Sequence, residues 1–224
     1  YVEVFAKWVF LSGLVGLMGG FIGAAFYKAV AHATAFRLGH PEMIYLLPFA
    51  GLVITGLYRL FQLKNDPGTN IIIKAIIEED RNVPIRMAFL IFVGTVITHL
   101  FGGSAGREGV AVQIGGTLAH GLGRKFCTPA EQRVLLIAGM AAGFSGLFQM
   151  PLTAVFFALE VLIAGAMAYE ALLPALLAAG LACKTSALLG LGKFSAVLGG
   201  SGDYLCTKEE ELDDVTHFLR EWRD

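Results

Sequence analysis

The sequence predicts an all-α, polytopic membrane protein whose helical bundle contains short and broken helices. Three observations carry that expectation. Hydrophobic residues make up 56% and charged residues 16% of the 224-residue chain, whereas soluble domains carry about a quarter charged residues. The apolar residues fall in blocks almost free of charge: Val9 to Val30, Met43 to Leu60, Met87 to Phe101, Val134 to Leu147, Pro151 to Ala168 and Ala171 to Leu191. Some blocks reach the roughly 20 residues that cross a bilayer core and others fall short. Short, interrupted helices are a mark of transport proteins whose ion site lies near the membrane midplane.

The elements follow in order. Trp8 to Val30 reads as a first spanning helix, with Gly13, Gly16, Gly20 and Gly23 on one face, where a neighbouring helix can approach closely. His40-Pro41 breaks the chain, and Met43 to Leu60 forms a second apolar helix with Arg59 snorkelling at its end. Asp66-Pro67-Gly68 is a breaker, and Asn70 to Asp80 reads as a helix too short to span. Pro84 opens the next helix in the favoured first turn, and that helix runs to about Leu100. After the glycine-rich stretch from Phe101 to Gly109, Val110 to Lys125 resumes as a helix. Thr128, Pro129 and Glu131 have the pattern of a capped helix start. That helix runs through Ala142, with an irregular patch from Gly143 to Met150. Pro151 starts a helix containing Glu160, and Glu170 precedes a last hydrophobic helix ending around Gly192.

Two regions emerge: a membrane domain at 1–199 and a polar tail at 200–224. Within the tail, Leu212, Val215, Phe218 and Leu219 recur at helical spacing between Lys208 and Asp224. The chain is expected in the cell membrane as a multi-pass protein, though its basic residues do not fall on alternate loops and assign no orientation. A net charge of −1 offers no polybasic surface for nucleic acid. Cys127, Cys183 and Cys206 make neither a disulfide framework nor a zinc spacing. No metal, cofactor or catalytic motif appears, so the expectation is a non-enzyme without cofactors.

Three places could carry chemistry. In Gly102-Gly103-Ser104-Ala105-Gly106-Arg107-Glu108-Gly109, small residues ahead of a helix leave backbone N–H groups open, and the helix dipole adds positive charge there. Ionisable groups at membrane depth, here Arg107 and Glu108, are functional suspects by default. The competing readings are a loop at the membrane surface and charges paired within the bundle. Pro67-Gly68-Thr69-Asn70 is a second break before a helix; taken alone it is an ordinary cap. Gly143 to Pro151 is a third. If the three starts converge, their positive ends create an anion site.

These residues resemble the CLC family of chloride channels and proton-coupled anion transporters. Ala105-Gly106-Arg107-Glu108-Gly109-Val110-Ala111-Val112-Gln113-Ile114-Gly115-Gly116 is similar to the family's G-R/K-E-G-P motif and its V-Q-I-G extension. Phe148 to Glu160 resembles the downstream F-N-A-P-L-A-G-x-x-F-x-x-E stretch. The resemblance covers the chain from about Gly13 to Gly192 and implies one inverted-repeat half of the CLC fold. It implies that Glu108 is the gating and proton-coupling glutamate, whose carboxylate occupies an anion site until it swings away or is protonated. It implies an anion path lined by Gly106, Arg107, Gly109 and Val110 together with Gly68, Thr69 and Asn70, and a dimer in the lipid bilayer. The substrates implied are chloride or fluoride, exchanged for protons or passed through a channel.

The departures point in particular directions. Gly68-Thr69-Asn70-Ile71 stands where the family has G-S-G-x-P, so Thr69 or Asn70 substitutes for a serine hydroxyl. Val110 replaces a proline, and Val161 falls where typical antiporters carry an inner proton-relay glutamate. A replaced serine and an absent inner glutamate are similar to the fluoride/proton antiporter branch. The second half's G-x-F-x-P motif and anion-coordinating tyrosine have no counterpart. The alternative function is therefore an inactive or regulatory half-transporter that only assembles in the membrane.

Overall fold

The computed structural model describes residues 2–61, 72–73, 75, 83–161, 167–192, 196–198 and 204–206. Seven α-helices are described: α1 (Val2–Leu38), α2 (Leu47–Leu60), α3 (Arg86–Leu100), α4 (Glu108–Phe126), α5 (Pro129–Phe148), α6 (Pro151–Glu160) and α7 (Leu172–Leu188). Short 3₁₀ turns, Pro41–Leu46 and Tyr169–Ala171, lead into α2 and α7. The first compact unit runs Tyr1–Leu191 and the second Gly192–Asp224. In the second, β1 (Ala196–Leu198) pairs antiparallel with β2 (Tyr204–Cys206), Val197 opposite Leu205. The amphipathic stretch expected from Lys208 to Asp224 lies outside the described residues, as does most of the short helix expected from Asn70 to Asp80.

Among the described residues three segments are long and apolar enough to cross a membrane: Glu3–Leu38, Pro41–Leu60 and Tyr169–Leu188. With its 37 residues α1 is about 55 Å long, well beyond a bilayer core of about 30 Å. The sequence expectation of Trp8 to Val30 located the apolar centre of this helix and missed both ends. No proline or breaker interrupts either flank, so the backbone hydrogen bonds continue through the more polar residues.

Helix α5 is the centre of the fold. It packs against α1, α4, α6 and α7, and from Val134 to Leu147 every residue but Phe144 is buried. Glycines set its approach to its neighbours. A Cβ on Gly23 would fall 2.6 Å from the Gly146 carbonyl carbon, and one on Gly19 would fall 2.9 Å from Ala142 Cβ. Gly16 faces α7 instead, where a Cβ would meet the Ala178 carbonyl oxygen at 2.6 Å. The glycine stripe of α1 is thus a double seam, divided between two partner helices. Gly115 and Gly139 make an equally close crossing of α4 over α5.

The same seam corrects one expectation. The sequence predicts an irregular patch from Gly143 to Met150, but α5 continues through Phe148 and breaks only at Gln149 and Met150. Gly143 packs on the Ala111 carbonyl and Gly146 on Gly19, so close helix packing outweighs the low intrinsic helix propensity of glycine. Two smaller differences lie at helix starts. Pro48 lies in the first turn of α2, which shortens the helix expected from Met43 and leaves a 3₁₀ turn ahead of it. Helix α3 begins at Arg86 with Ile85 at its cap, so Pro84 lies just ahead of the helix and not in its first turn. The Pro84 carbonyl accepts from the Met87 N–H at 2.9 Å in a tight lead-in turn.

Candidate functional site: the start of α4

The loop that delivers Glu108 is built by the end of α3. Gly102 has φ +83, in the left-handed region that favours glycine. Its N–H donates to the His99 carbonyl at 3.2 Å, and the Gly103 N–H donates to the Thr98 carbonyl at 2.9 Å. This pair of bonds is a Schellman ending, which satisfies carbonyls that the helix itself leaves free. A Cβ on Gly103 would fall 2.7 Å from Thr98 Cγ2, so the chain doubles back too tightly for a side chain there.

From Gly103 to Gly106 the backbone has no regular structure, and α4 starts at Glu108. Arg107 occupies the cap position and its side chain caps nothing. The Ala111 N–H, donating to the Arg107 carbonyl at 3.0 Å, makes the first intrahelical bond. The amides of Glu108, Gly109 and Val110 precede it and lack an intrahelical acceptor. Ser104, Gly106, Arg107 and Glu108 are exposed, and Val110 is buried. The Glu108 carboxylate folds back over the loop, Oε2 lying 3.4 Å from where a Gly106 Cβ would sit. The carboxylate thus lies near the loop that leads into a helix start whose first amides are open, and such starts are where anions bind.

The structure therefore places Gly106, Arg107, Glu108, Gly109 and Val110 on one loop and helix start. Gly68, Thr69 and Asn70 lie outside the described residues. Helix α6 starts at Pro151 as expected, but it packs on α5 and α7, while α4 packs on α5, α3 and α1. Glu160 is the exposed last residue of α6.

Sequence reasoning missed a second polar cluster, at the break between α5 and α6. Gln149 adopts a left-handed conformation, φ 60 and ψ 30. Its side-chain amide donates to the Cys183 carbonyl at 3.1 Å and to Ser186 Oγ, and Cys183 Sγ donates to Gln149 Oε1 at 3.4 Å. One turn earlier, Ser145 Oγ donates to the Ala179 carbonyl at 2.8 Å. These bonds join the end of α5 to α7. The available signal was the presence of Ser145, Gln149 and Ser186 inside otherwise apolar stretches. Also unanticipated was a buried contact in which Gln132 Nε2 donates to His120 Nδ1 at 2.8 Å.

Comparison with known proteins gives this geometry a family. A family model described as voltage gated chloride channel matches residues 50–201. The chain is 44% identical over 195 residues to a chloride/fluoride channel protein of Pseudomonas syringae pv. tomato, covering 87% of this chain and 43% of that protein. It is 35% identical over 167 residues to an H(+)/Cl(−) exchange transporter of Cronobacter sakazakii, covering 67% of this chain and 35% of the relative. Among solved structures, a CLC-type fluoride/proton antiporter superposes with a TM-score of 0.84 at 44% identity, over 92% of this chain and 52% of that one. A slow cyanobacterial Cl⁻/H⁺ antiporter shares the fold, with a TM-score of 0.66 at 22% identity. The chain spans about half the length of the relatives it matches, or less. On the match of the family model and the likeness in structure, this chain belongs to the CLC family.

Proposed function

We propose that this chain forms part of a membrane transporter of small halides, coupled to protons through Glu108. The observation that carries the reading is the Glu108 carboxylate lying near Gly106, on the loop that leads into the open amides at the start of α4. An ionised carboxylate there mimics an anion, and protonation cancels its claim to the site. Anion occupancy and proton binding are then linked, because each biases the same conformational equilibrium. The anion path in this reading runs along Gly106, Arg107, Gly109 and Val110, with Gly68, Thr69 and Asn70 contributing from the other break.

Fluoride is the favoured substrate. The chloride/fluoride channel protein and the fluoride/proton antiporter are each 44% identical to this chain, against 35% for the H(+)/Cl(−) exchange transporter. The membrane domain in this reading covers residues 1–199 and sits in the cell membrane as a multi-pass protein. A second copy is the proposed partner, supported by exposed Leu152 and Phe156 on α6 and Leu173 and Leu176 on α7. The test is efflux of fluoride and chloride, side by side, from liposomes holding the purified chain. Fluoride efflux that drives proton uptake is the expected result. Efflux no faster than from empty vesicles would leave the half-transporter that only assembles in the membrane as the better account.

A further inference from the structure

Helix α4 carries a second feature besides its glycine crossing with α5. Gln113, Thr117 and His120 are 5%, 0% and 0% exposed. At 3.6 residues per turn they fall within an arc of about 60°, so they form a file along one side of the helix. The file continues onto α5 at Gln132, 6% exposed, through its bond to His120. Among the buried polar side chains described, His120 is the one that titrates.

Two members of the file are unsatisfied. Gln113 Nε2 and Thr117 Oγ1 are buried and have no hydrogen-bond partner. Thr117, like Ser12 on α1, has a buried hydroxyl without a partner, unlike four other helical hydroxyls of this chain. Thr55, Thr98, Thr185 and Ser186 each donate to the carbonyl four residues back, the usual local solution for a helical hydroxyl. Thr117 forgoes it, and its orphan lies four residues from the orphan amide of Gln113. Neighbouring buried donors without a protein acceptor are where ordered water is found.

The file also has the right extent. Helix α4 has 19 residues, about 28 Å, close to the thickness of a bilayer core. Gln113 lies about 7.5 Å along the axis from Glu108 and His120 about 18 Å from it. At the far end Gln132 adjoins Glu131, whose side chain is 27% exposed and holds Lys7 at 2.7 Å. Arg124, Lys125, Cys127 and Arg133, the last beside Glu170 at 3.9 Å, are the other titratable groups described at this end.

We infer that Gln113, Thr117, His120 and Gln132 form a hydrated proton route along α4, between Glu108 and the end of the helix bearing Glu131. This rests on the reading of Glu108 as the proton-coupling group. Each hop breaks one O–H or N–H bond and makes another. The proton leaves the Glu108 carboxyl for water held by the Gln113 amide and the Thr117 hydroxyl, and then passes to the imidazole of His120. Gln132 now donates to Nδ1, which leaves the ring proton of neutral His120 on Nε2. Nδ1 is therefore the nitrogen that takes the incoming proton, as the Gln132 amide turns to present its oxygen to Nδ1–H, and Nε2 releases the proton it held. Water beside Glu131 receives the proton at the exit.

The experiment measures proton uptake and fluoride efflux together in liposomes with the full chain. His120→Gln and Thr117→Val are expected to lower the proton-to-fluoride ratio tenfold or more, with fluoride efflux kept within threefold. An unchanged ratio in both variants overturns the route. A wild-type chain without efflux overturns the transport reading and the proton role with it. Melting of the detergent-solubilised chain then decides whether the file is wet. If water fills it, Thr117→Val and Gln113→Leu each lower the melting temperature by about 2–4 °C. If the orphans face nothing, removing them raises it, and the hydrated file is wrong.

Discussion

The chain breaks its helices at two places that look alike in sequence and differ in chemistry. Between α3 and α4 the break is glycine-rich and partly exposed, and it ends in uncapped amides with the Glu108 carboxylate near Gly106. Between α5 and α6 the break is two residues long, and the side chain of Gln149 ties it to α7. The backbone at both places leaves helical geometry, which membrane-buried chains tolerate only when the freed groups find partners or a water-filled cavity. At Gln149 the protein supplies partners. At Glu108 none is found for the first amides among the described residues, and those are the groups an anion could use. An open break is the candidate site, and a sealed one is the scaffold.

The largest effect on stability is therefore expected at the sealed break. Gln149→Leu removes bonds to the Cys183 carbonyl, Ser186 Oγ and Cys183 Sγ, and leaves an apolar γ-branched side chain at φ 60. Losing partners for buried polar groups costs about 1–3 kcal/mol each, while the left-handed strain at this position is common to glutamine and leucine. A net loss of about 3 kcal/mol is expected, read from denaturant or thermal unfolding in detergent. Gln149→Gly is expected to lose less, because it relieves the backbone. If Gln149→Leu melts with the wild type, the two breaks are not different in kind.

Next comes Gly102→Ala, which tests the hinge of the open break. With φ +83 an alanine is strained by about 1 kcal/mol, although a Cβ there would meet Arg37 Cδ no closer than 3.4 Å. The expected loss is about 1 kcal/mol, a third of that at Gln149. Amide exchange should quicken in the last turn of α3, where the Gly102 and Gly103 bonds are made. A variant as stable as the wild type, with unchanged exchange, would show that the Schellman ending does not hold the loop.

How far the sequence disclosed these differences depends on the physical origin of each feature. Apolar blocks located the helices because the hydrophobic effect and bilayer thickness act on composition alone. The capped start of α5 was legible because its chemistry is local: Glu131 Oε2 accepts from the Thr128 N–H at 2.8 Å and from Thr128 Oγ1 at 3.0 Å. The α4 loop was legible because glycine runs are rare ahead of a charged pair. By contrast, Gly143 and Gly146 misled. A glycine that breaks a helix and one that seats a helix against its neighbour are the same letter, and only the partner's position distinguishes them. Gln149, Ser186, Gln113 and Thr117 were silent for the same reason. Whether a polar side chain is bonded or orphaned is decided by residues dozens of positions away.

A smaller effect is expected at the Lys7–Glu131 pair, which joins α1 to the start of α5 at 2.7 Å. Both side chains are about a third exposed, and pairs of that kind contribute about 0.5 kcal/mol or less. Lys7→Met should lower the melting temperature by about a degree, and high salt should erase the difference. A loss that persists at high salt would mean that the lysine stem, not its charge, packs α1 on α5.

The smallest expected effect on stability is at Glu108 itself. The carboxylate is exposed and has no ion pair among the described residues, so Glu108→Gln should change unfolding by less than about 0.5 kcal/mol. The amide keeps the shape of the side chain and removes its charge and its capacity to exchange a proton. If the open break is the site, this near-silent change abolishes proton coupling while fluoride still crosses. Fluoride efflux measured with and without an opposing proton gradient separates the outcomes. Coupling that survives the substitution removes Glu108 from its role, and the uncapped amides of α4 become a surface feature. Coupling lost together with a large drop in stability would mean that the open break is scaffold as well, and the contrast with Gln149 would disappear.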